Sequence, residues 1–136
     1  MALKEYTNKR NFEITNEPKL AKQRFVIQLH YARAKHYDFR LEYSNVLVSW
    51  AVPKGLSEDK KEKRLAVHVE DHPVDYINFE GEIPKGQYGA GTVSIFDRGT
   101  YVPLCNFKSG LKDGKLKFFL FGEKYFGVWS LIKKDA

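Results

Sequence analysis

The chain has 136 residues, 43% of them aliphatic or aromatic, which suffices for one hydrophobic core and argues against a disordered chain. Its net charge of +6 favours a polyanionic partner such as nucleic acid without identifying one. Cys105 is the only cysteine, which excludes an intrachain disulfide and a cysteine-rich zinc site. Because the sequence has neither an apolar leader nor a run long enough to span a membrane, we expect a cytoplasmic protein without membrane contact.

The first 22 residues differ in character from the rest of the chain. They are polar and lack sustained periodicity, and Pro18 would break a helix there. We expect residues 1–22 to form a loosely ordered amino-terminal arm, followed by one β-domain over residues 23–136.

Short runs rich in β-branched and aromatic residues begin at Phe25. They are separated by glycine, proline, asparagine and aspartate, and they read FVIQLH, YDFRLEY, VLVSWAV, RLAVHVE, GTVSIFD, KLKFFLF and GVWSLI. Ser44-Asn45 and Asp113-Gly114 are typical of tight hairpin turns. No long helical stripe is present. The pattern predicts an all-β fold, a compact single-domain β-barrel of about seven or eight mainly antiparallel strands.

The run HYDFRLEY carries the first candidate site. Alternate side chains of a strand share a face, so the tyrosines, Phe39 and Leu41 form a core face and the polar residues form the other. His36 and Asp38 then lie about 7 Å apart by strand geometry and can reach one metal ion. His30 could add a third ligand across the turn. Two imidazoles and a carboxylate suit manganese, iron or zinc, although a solvated polar face is the open alternative.

A second polar face is expected in RLAVHVEDHP. The same alternation places these residues on one side: Arg64, Ala66, His68, Glu70 and His72. If the two strands face one groove, arginines and histidines lie beside the metal ion. This combination of groups suits phosphoryl transfer. A cross-strand salt-bridge ladder is the alternative. Lys54 could contact phosphate, or it could be a solvated turn lysine.

The glycine-rich segment GQYGAGT invites comparison with phosphate-binding loops. It lies between predicted strands and no helix begins after it, so neither a P-loop nor a dinucleotide fingerprint is supported. We predict a tight turn or bulge with a structural role.

Five segments together resemble a known family, the three-prime phosphoesterase domain of bacterial DNA ligase D. They match in order and spacing: KRNFEITNEP, QLHYARAKHYDFRLE, SWAVPKG, RLAVHVEDHPVDY and FEGEIPKGQYGAGTV. The resemblance implies a manganese-dependent β-barrel, with other divalent transition metals also possible. Such an enzyme removes 3′-terminal ribonucleosides and 3′-phosphates from DNA or RNA-containing primer-template ends. The 3′-hydroxyl left behind serves repair synthesis or ligation in non-homologous end joining, so a separate or fused ligase or polymerase is an expected partner. We expect a monomer.

The resemblance also implies roles for residues at matching positions. The implied metal ligands are His30, His36 and Asp38. The implied catalytic and phosphate-binding groups are Arg40, Arg64, His72 and Tyr76. The implied substrate-binding and supporting groups are Arg10, Glu17, Gln28, Lys54 and Glu70. The family arm usually reads Lys-Arg-Asp-Phe, whereas this chain has Asn11 in place of the acid, which leaves the contribution of the arm open.

Two rival functions fit parts of the pattern. A cupin-like non-haem iron oxygenase would use the histidine and aspartate of the second run with a distal histidine such as His68 or His72. It would need oxygen, whereas a hydrolase works anaerobically. A non-catalytic nucleic-acid-binding β-barrel would bind DNA in a salt-sensitive way that ignores metal and the loss of His36.

Overall fold

A computed structural model describes residues 23–133 of the chain. The predicted arm, with Arg10, Asn11 and Glu17, lies outside the described residues. The eight strands are β1 (Arg24–Tyr31), β2 (Lys35–Tyr43), β3 (Val46–Val52), β4 (Val67–Pro73), β5 (Gly81–Ile83), β6 (Gly91–Pro103), β7 (Lys115–Gly122) and β8 (Phe126–Ile132). A 3₁₀ helix covers Val74–Asn78, and helix α1 covers Phe107–Asp113. Within the described range, neither helix has the length and apolar composition needed to cross a membrane.

All eight strands belong to one antiparallel sheet. The strand order is β4-β3-β2-β1-β6-β7-β8, and β5 pairs with the beginning of β6. The sheet curls into a half-barrel, which confirms the predicted all-β fold of seven or eight mainly antiparallel strands.

The two faces of the sheet bury two separate apolar clusters. The larger one takes alternate residues of β1, β2, β3 and β7 and includes Phe25, Phe39, Trp50 and Phe118. The smaller one lies on the opposite face, where Val26 and Leu47 pack against Ile77 of the 3₁₀ helix. Burial on both faces explains why the runs FVIQLH and VLVSWAV are almost continuously apolar. The segment that follows β4 therefore covers the second face of β1 and β3.

Only one of the two predicted hairpin turns is present. Ser44 and Asn45 both have positive φ, 50° and 67°, as a primed turn between β2 and β3 requires. The prediction of a hairpin at Asp113-Gly114 is wrong, because Gly114 at φ 77° caps the carboxyl end of α1 and donates its N–H to the carbonyl of Gly110. A glycine with positive φ serves a primed turn and a helix end equally well.

A bulge in β4 changes which side chains share a face. Val69 pairs with Ser49 and His72 pairs with Leu47, so two residues of β4 lie opposite Val48 alone. His72 therefore joins the face of Leu47, whereas His68 pairs with Trp50 and stacks on it at 5.3 Å on the opposite face. The predicted common polar face from Arg64 to His72 is wrong for this reason, and Arg64 lies before the strand begins.

An ion pair fastens the start of β1 to the end of β2. Arg24 donates from Nε and Nη2 to the two carboxylate oxygens of Glu42 at 2.9 and 2.8 Å, and its backbone N–H adds a bond of 3.1 Å. These hydrogen bonds hold the pKa of Glu42 below its usual value. The Tyr101 hydroxyl donates to the Glu42 carbonyl at 2.6 Å, and burial raises the pKa of Tyr101. Glu42, for which the sequence indicated no role, holds the start of β1 against the end of β2.

We expect Glu42→Gln to destabilise the fold at neutral pH but not in acid. A carboxyl whose pKa is lowered on folding stabilises the protein above its unfolded pKa of 4.5, and this stabilisation is lost as pH falls through the folded pKa. Because the Arg24 side chain is 44% exposed, screening limits the loss at pH 7 to roughly 0.2–1 kcal/mol. Urea unfolding of wild type and variant at neutral pH and at about pH 3 measures the difference. A stability gap that stays constant across that range would contradict this role, and the exposed Glu123→Gln is the matched control.

Candidate metal and phosphate site

The three predicted metal ligands meet on the face of β1 and β2 that the 3₁₀ helix partly covers. His30 pairs with His36 and Gln28 pairs with Asp38, so their side chains project on the same side. Nδ1 of His30 lies 3.4 Å from one oxygen of Asp38, and Nε2 of His36 lies 3.2 Å from the other. The three ligand atoms all lie within 4.8 Å of one another, so the predicted triad is assembled.

Backbone carbonyls fix which nitrogen of each imidazole is free. Nε2 of His30 lies 2.7 Å from the carbonyl oxygen of Gly89, and Nδ1 of His36 lies 3.1 Å from that of Ala34. Because a carbonyl oxygen can only accept, these nitrogens carry the protons. The other nitrogen of each ring faces Asp38, and in the neutral imidazole that binds a metal this nitrogen carries the lone pair. Carbonyl partners of this kind are the usual outer support of metal-binding histidines.

The triad fits a divalent transition metal. Bonds of about 2.0–2.2 Å to one ion require ligand atoms roughly 3–3.5 Å apart. The two histidine–carboxylate separations of 3.4 and 3.2 Å, each to a different oxygen of Asp38, lie in that interval, and the three ligand atoms as a set lie within 4.8 Å of one another. Two neutral imidazoles with one carboxylate suit manganese, iron or zinc, and they leave coordination positions for a substrate. His30 and Asp38 are buried, whereas the His36 side chain is 23% exposed and marks the open side.

Arg40 lies buried directly behind Asp38. Its Nη2 is 3.5 Å from the carboxylate, Nε donates to the Gln28 side-chain oxygen at 2.7 Å, and Nη1 donates to the Ser49 hydroxyl at 2.9 Å. Nη1 is also 3.1 Å from Nδ1 of His72. Burial lowers the pKa of Arg40, and the charge of Asp38 opposes that shift. Among the described residues the hydrogen-bond contacts of Arg40 use Nε and Nη1, so Nη2 beside Asp38 has N–H groups for a substrate.

His72 and Tyr76 complete the polar cluster beside Arg40. Burial and the neighbouring charge of Arg40 lower the pKa of His72, so its imidazole is neutral at pH 7. Nδ1 of His72 lies 3.1 Å both from Nη1 of Arg40, which can only donate, and from the carbonyl of Glu70, which can only accept. In the tautomer that accepts from Arg40, Nε2 carries the proton and is free to donate.

Tyr76 packs against both of these side chains. Its ring lies 5.2 Å from His72 and 5.0 Å from the guanidinium carbon of Arg40. Burial raises the pKa of Tyr76, so the phenol keeps its proton. His72 and Tyr76 thus offer two hydrogen-bond donors, the imidazole Nε2–H and the phenol O–H, next to the metal triad.

Gln28 connects this cluster to the segment that covers it. The side chain is completely buried, its oxygen accepts from Arg40, and its nitrogen donates to the carbonyls of Tyr76 and Phe79 at 3.0 and 3.2 Å. Its hydrogen-bonding capacity is used within the protein. Gln28 therefore positions Arg40 and the 3₁₀ helix.

The side chains of the remaining predicted residues make no hydrogen bond or ion pair with the cluster among residues 23–133, although the backbone carbonyl of Glu70 lies 3.1 Å from Nδ1 of His72. The Nη1 of Arg64 donates to the carbonyls of Lys54 and Gly55 at 2.6 and 3.3 Å, and its Nη2 pairs with Glu62 at 3.1 Å. Lys54 and Glu70 are exposed. None of the hydrogen bonds and ion pairs of Arg64 within residues 23–133 reaches the triad or Arg40.

Three contributors were not predicted as site residues. Ser49 accepts from Arg40, and its sequence signal is a lone polar residue in the apolar run VLVSWAV. Gly89 and Ala34 contribute carbonyl oxygens to the two histidines. Backbone groups have no residue-type signature, so only the folded chain identifies them.

Comparison with known proteins gives a consistent result. The family model described as DNA Ligase D 3′-phosphoesterase domain matches residues 28–133. That range contains the triad, Arg40, His72 and Tyr76.

Curated relatives carry the name of a multifunctional non-homologous end joining protein, LigD. The protein from Pseudomonas aeruginosa is 51% identical over 141 residues, which cover 98% of this chain and 17% of that protein. The one from Mycobacterium bovis is 49% identical over 112 residues, with 82% and 15% covered. The one from Mycolicibacterium smegmatis is 50% identical over 116 residues, with 81% and 15% covered. The chain thus spans about a sixth of the length of these relatives.

We expect His36→Ala to remove the stabilisation that a divalent metal provides. A ligand at a hundred times its dissociation constant stabilises a folded protein by about 2.7 kcal/mol, and losing one of three ligands lowers the affinity for the ion. Scanning calorimetry with Mn²⁺ or with EDTA measures the metal-dependent shift in Tm. His68→Ala is the matched control, because His68 lies on the opposite face of the sheet against Trp50. An equal shift in both variants would contradict the metal assignment.

Arg40→Met should cost about 3–5 kcal/mol of the free energy of unfolding in EDTA, because Asp38 is left as a buried and uncompensated carboxylate. The loss should shrink in Mn²⁺, since an ion at the triad neutralises the same carboxylate. Urea unfolding under both conditions tests this expectation. The exposed Arg98→Met serves as the control and should change stability by about 0.5 kcal/mol or less. A loss below about 1 kcal/mol for Arg40→Met would show that the buried pair is not required.

Proposed function

This chain belongs to the DNA ligase D 3′-phosphoesterase domain family, and on that premise we propose that it is a manganese-dependent phosphoesterase acting on nucleic-acid 3′ ends. It removes 3′-phosphates and 3′-terminal ribonucleosides from primer-template ends and leaves a 3′-hydroxyl. The observation that carries the proposal is the metal triad beside Arg40, His72 and Tyr76.

The metal ion and the protein residues have separate tasks in this proposal. His30, His36 and Asp38 would hold a divalent ion, which would supply neutralisation of charge on the phosphoryl oxygens and an activated water. Arg40 contributes a buried positive charge and an N–H of Nη2 to the same phosphate. Because Arg40 is fixed by Gln28 and Ser49, this charge needs no rearrangement when the substrate binds.

His72 and Tyr76 act as hydrogen-bond donors in the proposed reaction. Since the pKa of His72 is lowered in the free protein, its neutral imidazole donates from Nε2 to a phosphoryl or leaving-group oxygen. The phenol of Tyr76 donates beside it. This supports a role for His72 in stabilising the transition state rather than as an imidazolium acid at pH 7.

The donor set is compatible with manganese. Carboxylate ligands suit manganese, and imidazole suits several first-row metals. The family resemblance favours manganese among them. Other divalent transition metals are accommodated by the same ligands.

The names of the relatives support a biological setting in DNA repair. The relatives are called multifunctional non-homologous end joining proteins, and they are about six times longer than this chain. End processing would supply a polymerase or ligase with a usable 3′-hydroxyl. We therefore propose that this domain works with such a module, fused or separate.

The rival functions explain less of the site. Two histidines and one carboxylate also form the facial triad of non-haem iron oxygenases. An oxygenase gives no reason for the neighbouring His72 and Tyr76 donors, and His68, one of its candidate ligands, stacks on Trp50 on the other face. A purely electrostatic DNA-binding domain gives no reason for two histidines oriented by carbonyls towards one aspartate.

The deciding experiment uses a labelled primer-template that ends in a 3′-phosphate or a 3′-ribonucleotide, under anaerobic conditions with Mn²⁺ or EDTA. We expect conversion to a 3′-hydroxyl only with Mn²⁺. His72→Ala should lower the rate by about 10²–10³-fold, the loss typical of removing one transition-state hydrogen-bond donor, while it keeps the metal-dependent shift in Tm. Wild-type protein that is inactive without oxygen would overturn the hydrolase proposal. Full activity of His72→Ala would overturn the role of His72.

A further inference from the structure

Tyr88 is the most exposed large hydrophobic side chain of the described residues. It is 96% exposed, compared with 67% for Phe126 and 51% for Tyr31. The Phe126 ring packs against Phe119 and Phe121, with centroids 5.1 and 5.5 Å apart, so sheet packing accounts for its position. Tyr88 has no ring contact among residues 23–133. A single exposed tyrosine is common, so its position has to carry the argument.

The backbone around Tyr88 is held in place on both sides. Gln87 donates to the carbonyl of Pro84 at 3.3 Å, and Ala90 donates to the carbonyl of Gln87 at 3.1 Å. Gly89 has φ +77°, a conformation that favours glycine. A Cβ on Gly91 would lie 2.0 Å from the carbonyl oxygen of Tyr31, so the loop lies directly against the end of β1. The predicted tight turn is therefore a hydrogen-bonded turn that presents one exposed ring.

This loop is joined directly to the metal triad. Gly89, the residue after Tyr88, accepts the hydrogen bond that orients His30, at 2.7 Å. Consecutive Cα atoms are about 3.8 Å apart, so the phenol ring begins one residue away from a metal-supporting group. The backbone of Tyr88 thus lies beside the site rather than on a remote surface.

The charge around the rim suits a nucleic acid. Lys85 lies in the same loop, and Arg33 and Lys35 lie in and after the neighbouring β1–β2 turn. All three are exposed. Proteins that bind single-stranded nucleic acid combine positive charge along the backbone with aromatic rings on which bases stack. An aromatic ring with basic neighbours beside a phosphate site is such a combination.

We propose that Tyr88 stacks on the nucleobase next to the scissile phosphate and thereby positions the 3′ end of the strand in the metal site. This inference rests on the proposed function and adds to it a substrate-binding residue. It assigns a binding role to the GQYG loop in addition to its structural one. It also provides a reason why the enzyme would prefer nucleic-acid ends over small phosphate esters.

The test compares Tyr88→Ala and Tyr88→Phe on two versions of a 3′-phosphorylated primer-template. One version carries a normal terminal nucleotide, and the other carries an abasic sugar at that position. With the normal end, Tyr88→Ala should raise KM about fivefold or more, as expected for loss of one stacked base, with little change in kcat. Tyr88→Phe keeps the ring and should behave as wild type. On the abasic end, wild type and Tyr88→Ala should be equal.

Two controls separate the possible failures. Phe126→Ala removes an exposed aromatic ring from β8 and should leave KM unchanged. Fluorescence anisotropy without added metal measures binding of the same oligonucleotides independently of turnover, with the same expected dependence on Tyr88 and on the terminal base. If wild type binds in this way without hydrolysing, the proposed function fails and the stacking stands. The stacking proposal is overturned if Tyr88→Ala has the wild-type KM on the normal end. It is also overturned if the substitution raises KM as much on the abasic end as on the normal end.

Discussion

The arrangement of the site depends on one buried ion pair on a sheet face, Arg40 with Asp38. Arg40 is 3% exposed and Asp38 is 8% exposed, so neither charge can rely on water. A buried arginine is tolerated only when its N–H groups find acceptors. Here the acceptors come from neighbouring strands, Gln28 on β1 and Ser49 on β3, and His72 on β4 lies within reach. The need to satisfy one cation thus aligns four strands, and the alignment places Asp38 between the two histidines.

The same constraint explains why a covering segment is needed. The larger core occupies one face of the sheet, which leaves the polar face of β1–β3 to be closed by the chain that follows β4. That chain contributes Ile77 to a small apolar cluster and three carbonyl groups, those of Tyr76, Phe79 and Gly89, to polar side chains below it. Stability and function therefore use the same contacts: the bonds that close the second face also orient Gln28 and His30.

Local sequence patterns predicted much of the architecture. They failed where one pattern is compatible with two different local structures. Alternation in HYDFRLEY gave the correct faces, because one residue of register shift would have put Asp38 into the apolar core. Alternation failed in RLAVHVEDHP, because a bulge inserts one residue and reverses the faces after it. Asp113-Gly114 failed for a related reason: the positive φ of Gly114 ends a helix here, and sequence alone does not separate that use from a hairpin.

The sequence by itself indicated seven of the eight strands, without β5, the two faces of β2 and the residue types that can hold a metal and a phosphate, because those follow from side-chain periodicity and chemistry along one strand. Only the tertiary structure decided which groups meet. It brought His72 to Arg40 through a bulge, left Arg64 with backbone carbonyls, and placed Gly89 against His30 with Tyr88 beside it. These contacts join positions up to 59 residues apart and several use backbone atoms. Pairing across such distances is set by how the whole sheet closes, and no local pattern records it.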